Sequence, residues 1–245
     1  KDYYETTMAD TNIVAGIDGK NAVFNATVRC LGYHKVVGED EFTSDGYSAV
    51  INGGLRKYAE FHPDLAAQRF HVDLVEKDNY MLNMGLEQVL GFLSAWHMSD
   101  SLLKFYSDRG LSHETIKFLE NNRSLDVTVY AIPEGIPIFS HEPFISVAGE
   151  FEKAQFPETL IIGTHGLETG IATQASYFIN ILEEFGRQDI VTLEGGSRRI
   201  YPGAALAASR AALAAGFKGT SLEQMAIEYP ELLYRVGGSS GHSAI

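Results

Sequence analysis

Hydrophobic and polar side chains follow one pattern up to about residue 150 and another pattern after it. In the first part, residues 22–29, 125–133 and 144–151 alternate apolar and polar positions, the two-residue period of half-buried strands. Residues 45–76 are polar and loop-like at first and then mixed, whereas 84–108 place apolar side chains at helical spacing. This part therefore predicts a mixed sheet with helices packed on it.

From Pro157 onward the pattern predicts alternating helices and strands. The predicted elements are a long helix to about Gly186, a short strand at 190–194, an Ala-rich helix at 203–215 opened by Pro202, a short helix at 221–228 and a third strand at 232–236. Such alternation indicates parallel β/α units, but these strands are too few to close a barrel. We expect an α/β fold with an N-terminal mixed domain at 1–150 and the first units of an incomplete barrel at 151–245.

Composition narrows the class of protein. The chain has 245 residues, 45% of them hydrophobic, which is enough for a sizeable core. Its net charge of -13 repels phosphate backbones and anionic lipid, so we expect neither nucleic acid nor a membrane as a partner. The lone cysteine, Cys30, excludes an internal disulfide framework and fits a reducing compartment. No apolar run reaches the roughly 18 residues that a membrane span needs, and we expect a cytoplasmic protein.

The adjacent arginines Arg198 and Arg199 are the first candidates for chemistry. They follow the predicted strand 190–194, at the strand end where β/α folds place their ligand sites. An arginine fork binds a planar carboxylate or a phosphate with two parallel hydrogen bonds. The alternative is a solvated basic pair bridged to Glu194.

Two further segments are open to a structural and a functional interpretation. The glycine-rich run 237–241 ends in His242, so backbone N–H groups there could approach an anion on which the imidazole acts. A flexible segment after the last strand is the alternative. In the segment 217–221, the hydroxyls of Thr220 and Ser221 suit a helix N-cap, or they face an anionic ligand.

The remaining candidates give weaker signals. Asp2, Tyr3 and Tyr4 put a carboxylate and two aromatic rings on a terminal segment, where a tyrosine is either a lid over the core or a stacking partner. Apart from His242, the histidines lack the spacing of metal ligands, so we expect no metal site built by histidines.

Taken in order along the chain, eight segments resemble nicotinate phosphoribosyltransferases. They are 2–8, 22–25, 130–135, 142–147, 170–173, Arg198-Arg199, 217–221 and 237–242. The resemblance implies a type II phosphoribosyltransferase fold, in which an N-terminal mixed α/β domain leads into an irregular α/β barrel, and a homodimer whose active sites form between subunits. It also implies that nicotinate and phosphoribosyl pyrophosphate react to give nicotinate mononucleotide and pyrophosphate, with Mg²⁺ and coupling to ATP hydrolysis.

The resemblance assigns roles to individual residues. His242 matches the histidine that the family phosphorylates, and Tyr4 matches the tyrosine that stacks on the pyridine ring from the neighbouring subunit. Arg198 matches the arginine near the acid group of the ring or the ribose phosphate, with Arg199 in support. Ser221 stands where nicotinamide-using relatives carry an aspartate, so it favours a carboxylate-bearing base. Substrate-binding candidates in the matching segments also include Asp2 and Thr173.

Two departures from the family pattern leave alternatives open. Gly195 stands where many members carry a phenylalanine that stacks on the ring, and the family's loops for the diphosphate and 5′-phosphate would follow the equivalent of Ile245. We therefore expect a longer parent protein. A non-catalytic or partner-dependent relative that binds a pyridine carboxylate is the alternative, as is a phosphoribosyltransferase for another base such as nicotinamide or quinolinate.

Overall fold

The structure, a computed structural model, describes residues 3–28, 80–196 and 199–238. The helices are α1 (Tyr3–Val14), α2 (Leu86–Ser94), α3 (Asp100–Asp108), α4 (His113–Asn121), α5 (Phe151–Gln155), α6 (Glu158–Glu184), α7 (Pro202–Ala214) and α8 (Gln224–Glu228), followed by a 3₁₀ helix (Pro230–Arg235). The strands are β1 (Asn21–Thr27), β2 (Met81–Leu82), β3 (Thr128–Ala131), β4 (Pro137–Ile138), β5 (Pro143–Glu150), β6 (Leu193–Glu194) and β7 (Gly219–Thr220).

A three-stranded antiparallel sheet in the order β1-β5-β3 forms the centre of the first part. Val147 of β5 pairs with Phe24 of β1 on one side and with Val129 of β3 on the other. The alternating segments 22–29, 125–133 and 144–151 are therefore strands, as predicted, although β3 is shorter than its segment. The side chains of Ile145 and Val147 are buried in a core that continues onto α2, α5 and α6.

The helical spacing at 84–108 belongs to two helices rather than one. Between α2 and α3 the chain turns, and the N–H of Met98 donates to the carbonyl of Arg123 at 2.8 Å. Ser99 then caps α3, because its side chain accepts a hydrogen bond from the N–H of Leu102. A capping serine inside an otherwise helical pattern was the signal for this break.

Three helices were absent from the sequence interpretation: α1, α4 and the short α5. In α1 the buried face consists of Glu5, Thr6 and Ala9, so polar side chains occupy positions where a pattern search expects apolar ones. Helix α4 begins after Ser112, whose side chain accepts from the N–H of Thr115. In α1 polar partners elsewhere in the fold replace the apolar stripe, whereas α4 packs Ile116, Phe118 and the buried Leu119 into a hydrophobic core, an apolar spacing that the sequence interpretation overlooked.

The second part contains the predicted alternation of helices with short strands. Strands β6 and β7 are parallel neighbours, and α6 and α7 pack against each other. The predicted strand at 232–236 is wrong: residues Pro230–Arg235 form a 3₁₀ helix, and only Val236 makes a bridge to Thr220. Pro230 starts this turn because its fixed φ suits the first position of a helix.

The predicted N-cap at Thr220 or Ser221 is also wrong. Helix α8 starts at Gln224 with Glu223 before it, and the hydroxyl of Thr220 accepts instead from the N–H of Leu222. The loop-like stretch 45–76 lies outside the described residues. The domain division at residue 150 stays a prediction. In the part of the chain that the structure describes, no helix is long and apolar enough to cross a membrane.

Candidate functional site

The carboxyl ends of β6 and β7 meet at one edge of their two-stranded sheet. Leu193 pairs with Gly219 and Glu194 with Thr220 in parallel register. The N–H of Ser221 donates to the carbonyl of Glu194 at 2.9 Å, which carries the ladder one step further. Residue 195 follows β6 and residue 221 follows β7. Both therefore lie at the edge of the sheet where β/α folds bind ligands.

Glu194 is held at this edge by three neutral donors. Its Oε2 accepts hydrogen bonds from the hydroxyls of Ser209 at 2.6 Å and Thr220 at 2.8 Å. Its Oε1 accepts from the N–H of Gly196. Both hydroxyl residues are fully buried, and Ser209 belongs to α7. The carboxylate therefore ties both strands to the helix that follows β6.

Arg199 lies on the turn that leaves β6. Its N–H donates to the carbonyl of Gly196 at 2.7 Å, and its side chain is exposed. Within residues 3–28, 80–196 and 199–238, its guanidinium makes no ion pair with a carboxylate. The alternative in which Glu194 bridges this arginine does not hold for Arg199, because no ion pair joins these two described residues and the carboxylate bonds to Ser209, Thr220 and Gly196 instead. Arg198 lies outside the described residues.

Two glycines at these strands differ in the space around them. A Cβ atom built on Gly195 would meet nothing within 4 Å, so this position faces open space. A Cβ on Gly219 would lie 2.7 Å from the carbonyl oxygen of Arg235 and 3.1 Å from Cδ1 of Leu193. The strand end is thus closed beside Gly219 and open at Gly195. Ser221, next to the opening, is half-buried.

The other predicted site residues lie elsewhere or outside the described residues. Thr173 is buried in α6, where its hydroxyl accepts from the N–H of Leu82 at 2.9 Å and donates to the carbonyl of Thr169 at 2.6 Å. Tyr4 is 41% exposed on α1. Asp2 and His242 are outside the described residues. Arg199 and Ser221 are therefore the predicted site residues that the structure brings to one edge.

The buried residue Glu5 anchors the helix that carries Tyr4. Its Oε1 accepts from the N–H of Thr159 at 3.0 Å and from the Thr159 hydroxyl at 2.6 Å. Thr159 lies in the first turn of α6, where unpaired backbone N–H groups and the helix dipole favour a carboxylate. Sequence reasoning assigned no role to Glu5, whereas the structure gives it a capping role.

A second charged cluster, the Arg210 cluster, was not anticipated. Arg210 of α7 pairs with Glu168 at 2.9 Å, with Glu87 at 2.7 Å and with Glu134. Burial raises the pKa of Glu168 to about 7, although the charge of Arg210 opposes that shift. Burial also acts to raise the pKa of Glu134, but its hydrogen bonds from Arg210 and from backbone N–H groups lower it overall. An arginine on the inner side of an Ala-rich helix was the available signal.

Next to this cluster, His165 is a core residue. Its ring stacks on Phe144 at a centroid distance of 4.0 Å, and its Nε2 lies within hydrogen-bond distance of Oδ1 of Asn83. Burial lowers the pKa of His165 to about 4, so the neutral ring is the form that packs here. Among the described residues, no group of three His, Cys, Asp or Glu side chains is arranged to hold a metal ion.

The fold is similar to that of a known protein structure. The structure superposes on that of human nicotinic acid phosphoribosyltransferase with a TM-score of 0.69 at 22% sequence identity, covering 99% of this chain and 39% of the human chain. This likeness confirms the α/β fold class, since it extends over nearly all of the present chain. No family model matches the chain.

Curated sequence relatives match part of the chain. The chain is 33% identical over 146 residues to nicotinate phosphoribosyltransferase of Bacillus subtilis (strain 168), which covers 59% of this chain and 29% of the relative. It is 27% identical over 172 residues to nicotinate phosphoribosyltransferase 1 of Arabidopsis thaliana, covering 67% of this chain and 30% of that relative. Over part of its length the chain is therefore similar in sequence to nicotinate phosphoribosyltransferases, and it spans less than a third of the length of these relatives.

Proposed function

We propose that this chain carries the base-binding part of a nicotinate phosphoribosyltransferase that acts in NAD biosynthesis. The reaction joins nicotinate to phosphoribosyl pyrophosphate and gives nicotinate mononucleotide and pyrophosphate. The observation that carries the proposal is the strand edge at which the open position Gly195 follows β6 and the neutral Ser221 follows β7, with the exposed Arg199 bonded through its N–H to Gly196. The names of the relatives support the choice of base.

The chemistry proposed for this edge is recognition and orientation. The guanidinium of Arg199 binds the planar carboxylate of the base with two parallel hydrogen bonds, which also fix the plane of the ring. Ser221 adds no negative charge that would repel the acid. The ring nitrogen then forms a bond to C1 of the ribose, while the bond from C1 to the pyrophosphate oxygen breaks and its electron pair leaves with pyrophosphate. Holding the base at a fixed angle favours this step by lowering its entropic cost.

Further parts of the proposal concern residues and partners outside this edge. Asp2 and Thr173 remain substrate-binding candidates, and Arg198 is proposed to act beside Arg199. An imidazole nitrogen of His242 attacks the γ-phosphorus of ATP, the bond from that phosphorus to the β,γ-bridging oxygen breaks and ADP leaves, since an imidazole is a competent nucleophile near neutral pH. Mg²⁺ enters with the phosphates of ATP and phosphoribosyl pyrophosphate, its usual ligands in such reactions. A homodimer brings Tyr4 of one subunit to the ring bound by the other, and the cytoplasm is the proposed compartment.

A different base is the second candidate function. Gly195 leaves open space where an aromatic side chain would otherwise limit the size of the base. This opening favours a bulkier acid such as quinolinate over nicotinate, and the neutral Ser221 tolerates its second carboxylate. A non-catalytic chain that binds a pyridine carboxylate for a partner is the remaining alternative, motivated by Gly195 in the place of a ring-stacking phenylalanine.

The experiment incubates the protein with phosphoribosyl pyrophosphate and Mg²⁺ and with nicotinate, nicotinamide or quinolinate, each with and without ATP. Mass spectrometry identifies any mononucleotide formed and the intact mass of the protein. We expect nicotinate mononucleotide, in larger yield with ATP, and an acid-labile phosphate that the variant His242→Ala lacks. Quinolinate turnover in preference to nicotinate would instead establish the second candidate. Binding of nicotinate without any product would favour the non-catalytic role.

A further inference from the structure

We infer that Glu194 is a positioning residue, which fixes the turn that presents Arg199 to the acid group of the base. The inference rests on the proposed function for the identity of the ligand. Its structural part rests on hydrogen bonds between described residues. Glu194 itself is no candidate for ligand contact, because Ser209, Thr220 and Gly196 already occupy its carboxylate.

The path from Glu194 to Arg199 runs through both backbone groups of Gly196. The N–H of Gly196 donates to Oε1 of Glu194, and the carbonyl of Gly196 accepts from the N–H of Arg199 at 2.7 Å. Gly196 is therefore bonded to the carboxylate of Glu194 through its N–H and to the backbone of Arg199 through its carbonyl. Hydrogen bonds to a charged acceptor are stronger than those between neutral groups, so this tie holds the turn firmly.

The two hydroxyl donors keep the carboxylate away from the arginine. A carboxylate and a guanidinium five residues apart on one turn would ordinarily pair, and a paired arginine has fewer donors left for a ligand. The buried hydroxyls of Ser209 and Thr220 hold Oε2 toward α7 at 2.6 and 2.8 Å. Glu194 thus contributes an anchored turn without neutralising the arginine that the turn carries.

Geometry predicts a selective consequence for ligand binding. Because the tie acts on the position of Arg199, its loss weakens the interaction with a carboxylate and leaves ring contacts unchanged. Nicotinate and nicotinamide share the pyridine ring and differ in the charge of one substituent. A positioning role therefore lowers affinity for nicotinate alone, whereas general damage to the strand end lowers affinity for both.

The first measurement follows amide hydrogen exchange by NMR in the unaltered chain and in the variants Glu194→Ala and Glu194→Gln. We expect Gly196 and Arg199 amides to exchange roughly tenfold faster or more in Glu194→Ala. Glu194→Gln keeps an acceptor oxygen and retains most of the protection. Glu228→Gln, an exposed change on α8, is the matched control and leaves both amides as they were. Unchanged exchange in Glu194→Ala would overturn the inference.

The second measurement compares the dissociation constants of nicotinate and nicotinamide by calorimetric titration of the same variants. We expect Glu194→Ala to weaken nicotinate binding about tenfold, with nicotinamide binding unchanged within about twofold. An equal loss for both ligands would overturn the positioning role. If the unaltered chain binds neither ligand, the proposed base site is wrong, and amide exchange still decides whether Glu194 fixes the turn.

Discussion

The Arg210 cluster and the strand edge around Glu194 use carboxylates in opposite ways. In the Arg210 cluster, Glu87, Glu134 and Glu168 all pair with one guanidinium, which ties it into the fold. At the strand edge, Glu194 pairs with two hydroxyls and a backbone N–H, and Arg199 stays exposed. The comparison teaches that the partners of the nearby acid decide whether an arginine holds the fold or is available to a ligand.

The largest expected effect comes from removing the guanidinium of the Arg210 cluster. Arg210→Met leaves the buried Glu168 and the half-buried Glu134 without their cation, and breaking a buried pair in this way costs about 3–5 kcal/mol of stability. Urea denaturation measures the loss. Arg187→Met, which breaks the exposed pair with Asp189, is the control and should change stability little. Equal losses in the two variants would contradict a structural role for the Arg210 cluster.

The pH dependence of stability tests the burial of Glu168 in the Arg210 cluster. The pKa of Glu168 is about 7 in the folded chain against 4.5 for an ordinary glutamate. Above pH 4.5 the unfolded chain has lost this proton while the folded chain still holds it, so stability falls as pH rises from about 4.5 to about 7. Glu168→Gln should flatten this fall in denaturation curves taken across that window. Glu184→Gln, an exposed change on the same helix, should leave the fall in stability as it is. If stability fell as steeply with pH in Glu168→Gln as in the unaltered chain, the raised pKa of Glu168 would be refuted.

The two glycines of the strand edge test which side of it is open. Gly219→Ala places a methyl group 2.7 Å from a backbone carbonyl and should cost about 1–3 kcal/mol in the free energy of unfolding. A Cβ atom at Gly195 meets no atom within 4 Å, so Gly195→Phe should leave stability nearly unchanged. Its ring should add about 0.5–1.5 kcal/mol to nicotinate binding by stacking, measured by titration. A marked loss of stability in Gly195→Phe would show that the position is closed.

The smallest expected effect concerns the neutral donors of Glu194. Ser209→Ala removes one hydrogen bond from the carboxylate and should cost about 1 kcal/mol of stability, as a single lost hydrogen bond usually does. Ser101→Ala, an exposed change on α3, provides the control for the loss of a serine hydroxyl. Thermal unfolding resolves the difference. No change in Ser209→Ala would mean that water replaces the lost donor.

Local patterns sufficed where apolar side chains make the element. The alternation in 144–151 predicts β5, and the apolar spacing of 157–186 predicts α6, because burial of one face stabilises each element. The patterns failed for elements that polar contacts stabilise. Helix α1 buries Glu5 against the first turn of α6, and no rule of apolar periodicity finds such a helix.

The candidate site shows the same division. The adjacent arginines at the end of a predicted strand, and Ser221 in a segment whose hydroxyls could face an anionic ligand, could be read from the chain itself. The role of Glu194 could not, since the donors Ser209 and Thr220 lie 15 and 26 residues along the chain from it. The segment 232–236 has apolar content typical of a strand, yet the turn at Pro230 makes most of it a 3₁₀ helix.

The sequence by itself determined the α/β class, the family resemblance, the acidic charge and the residues able to recognise a planar acid. Each of these depends on residue type and short-range spacing, which the chain carries directly. Only the tertiary structure decided which acid each arginine meets: Arg210 takes three carboxylates, while Arg199 takes none among the described residues. Ion pairs and hydrogen bonds form between residues brought together by packing, so the availability of Arg199 depends on contacts that no local pattern encodes.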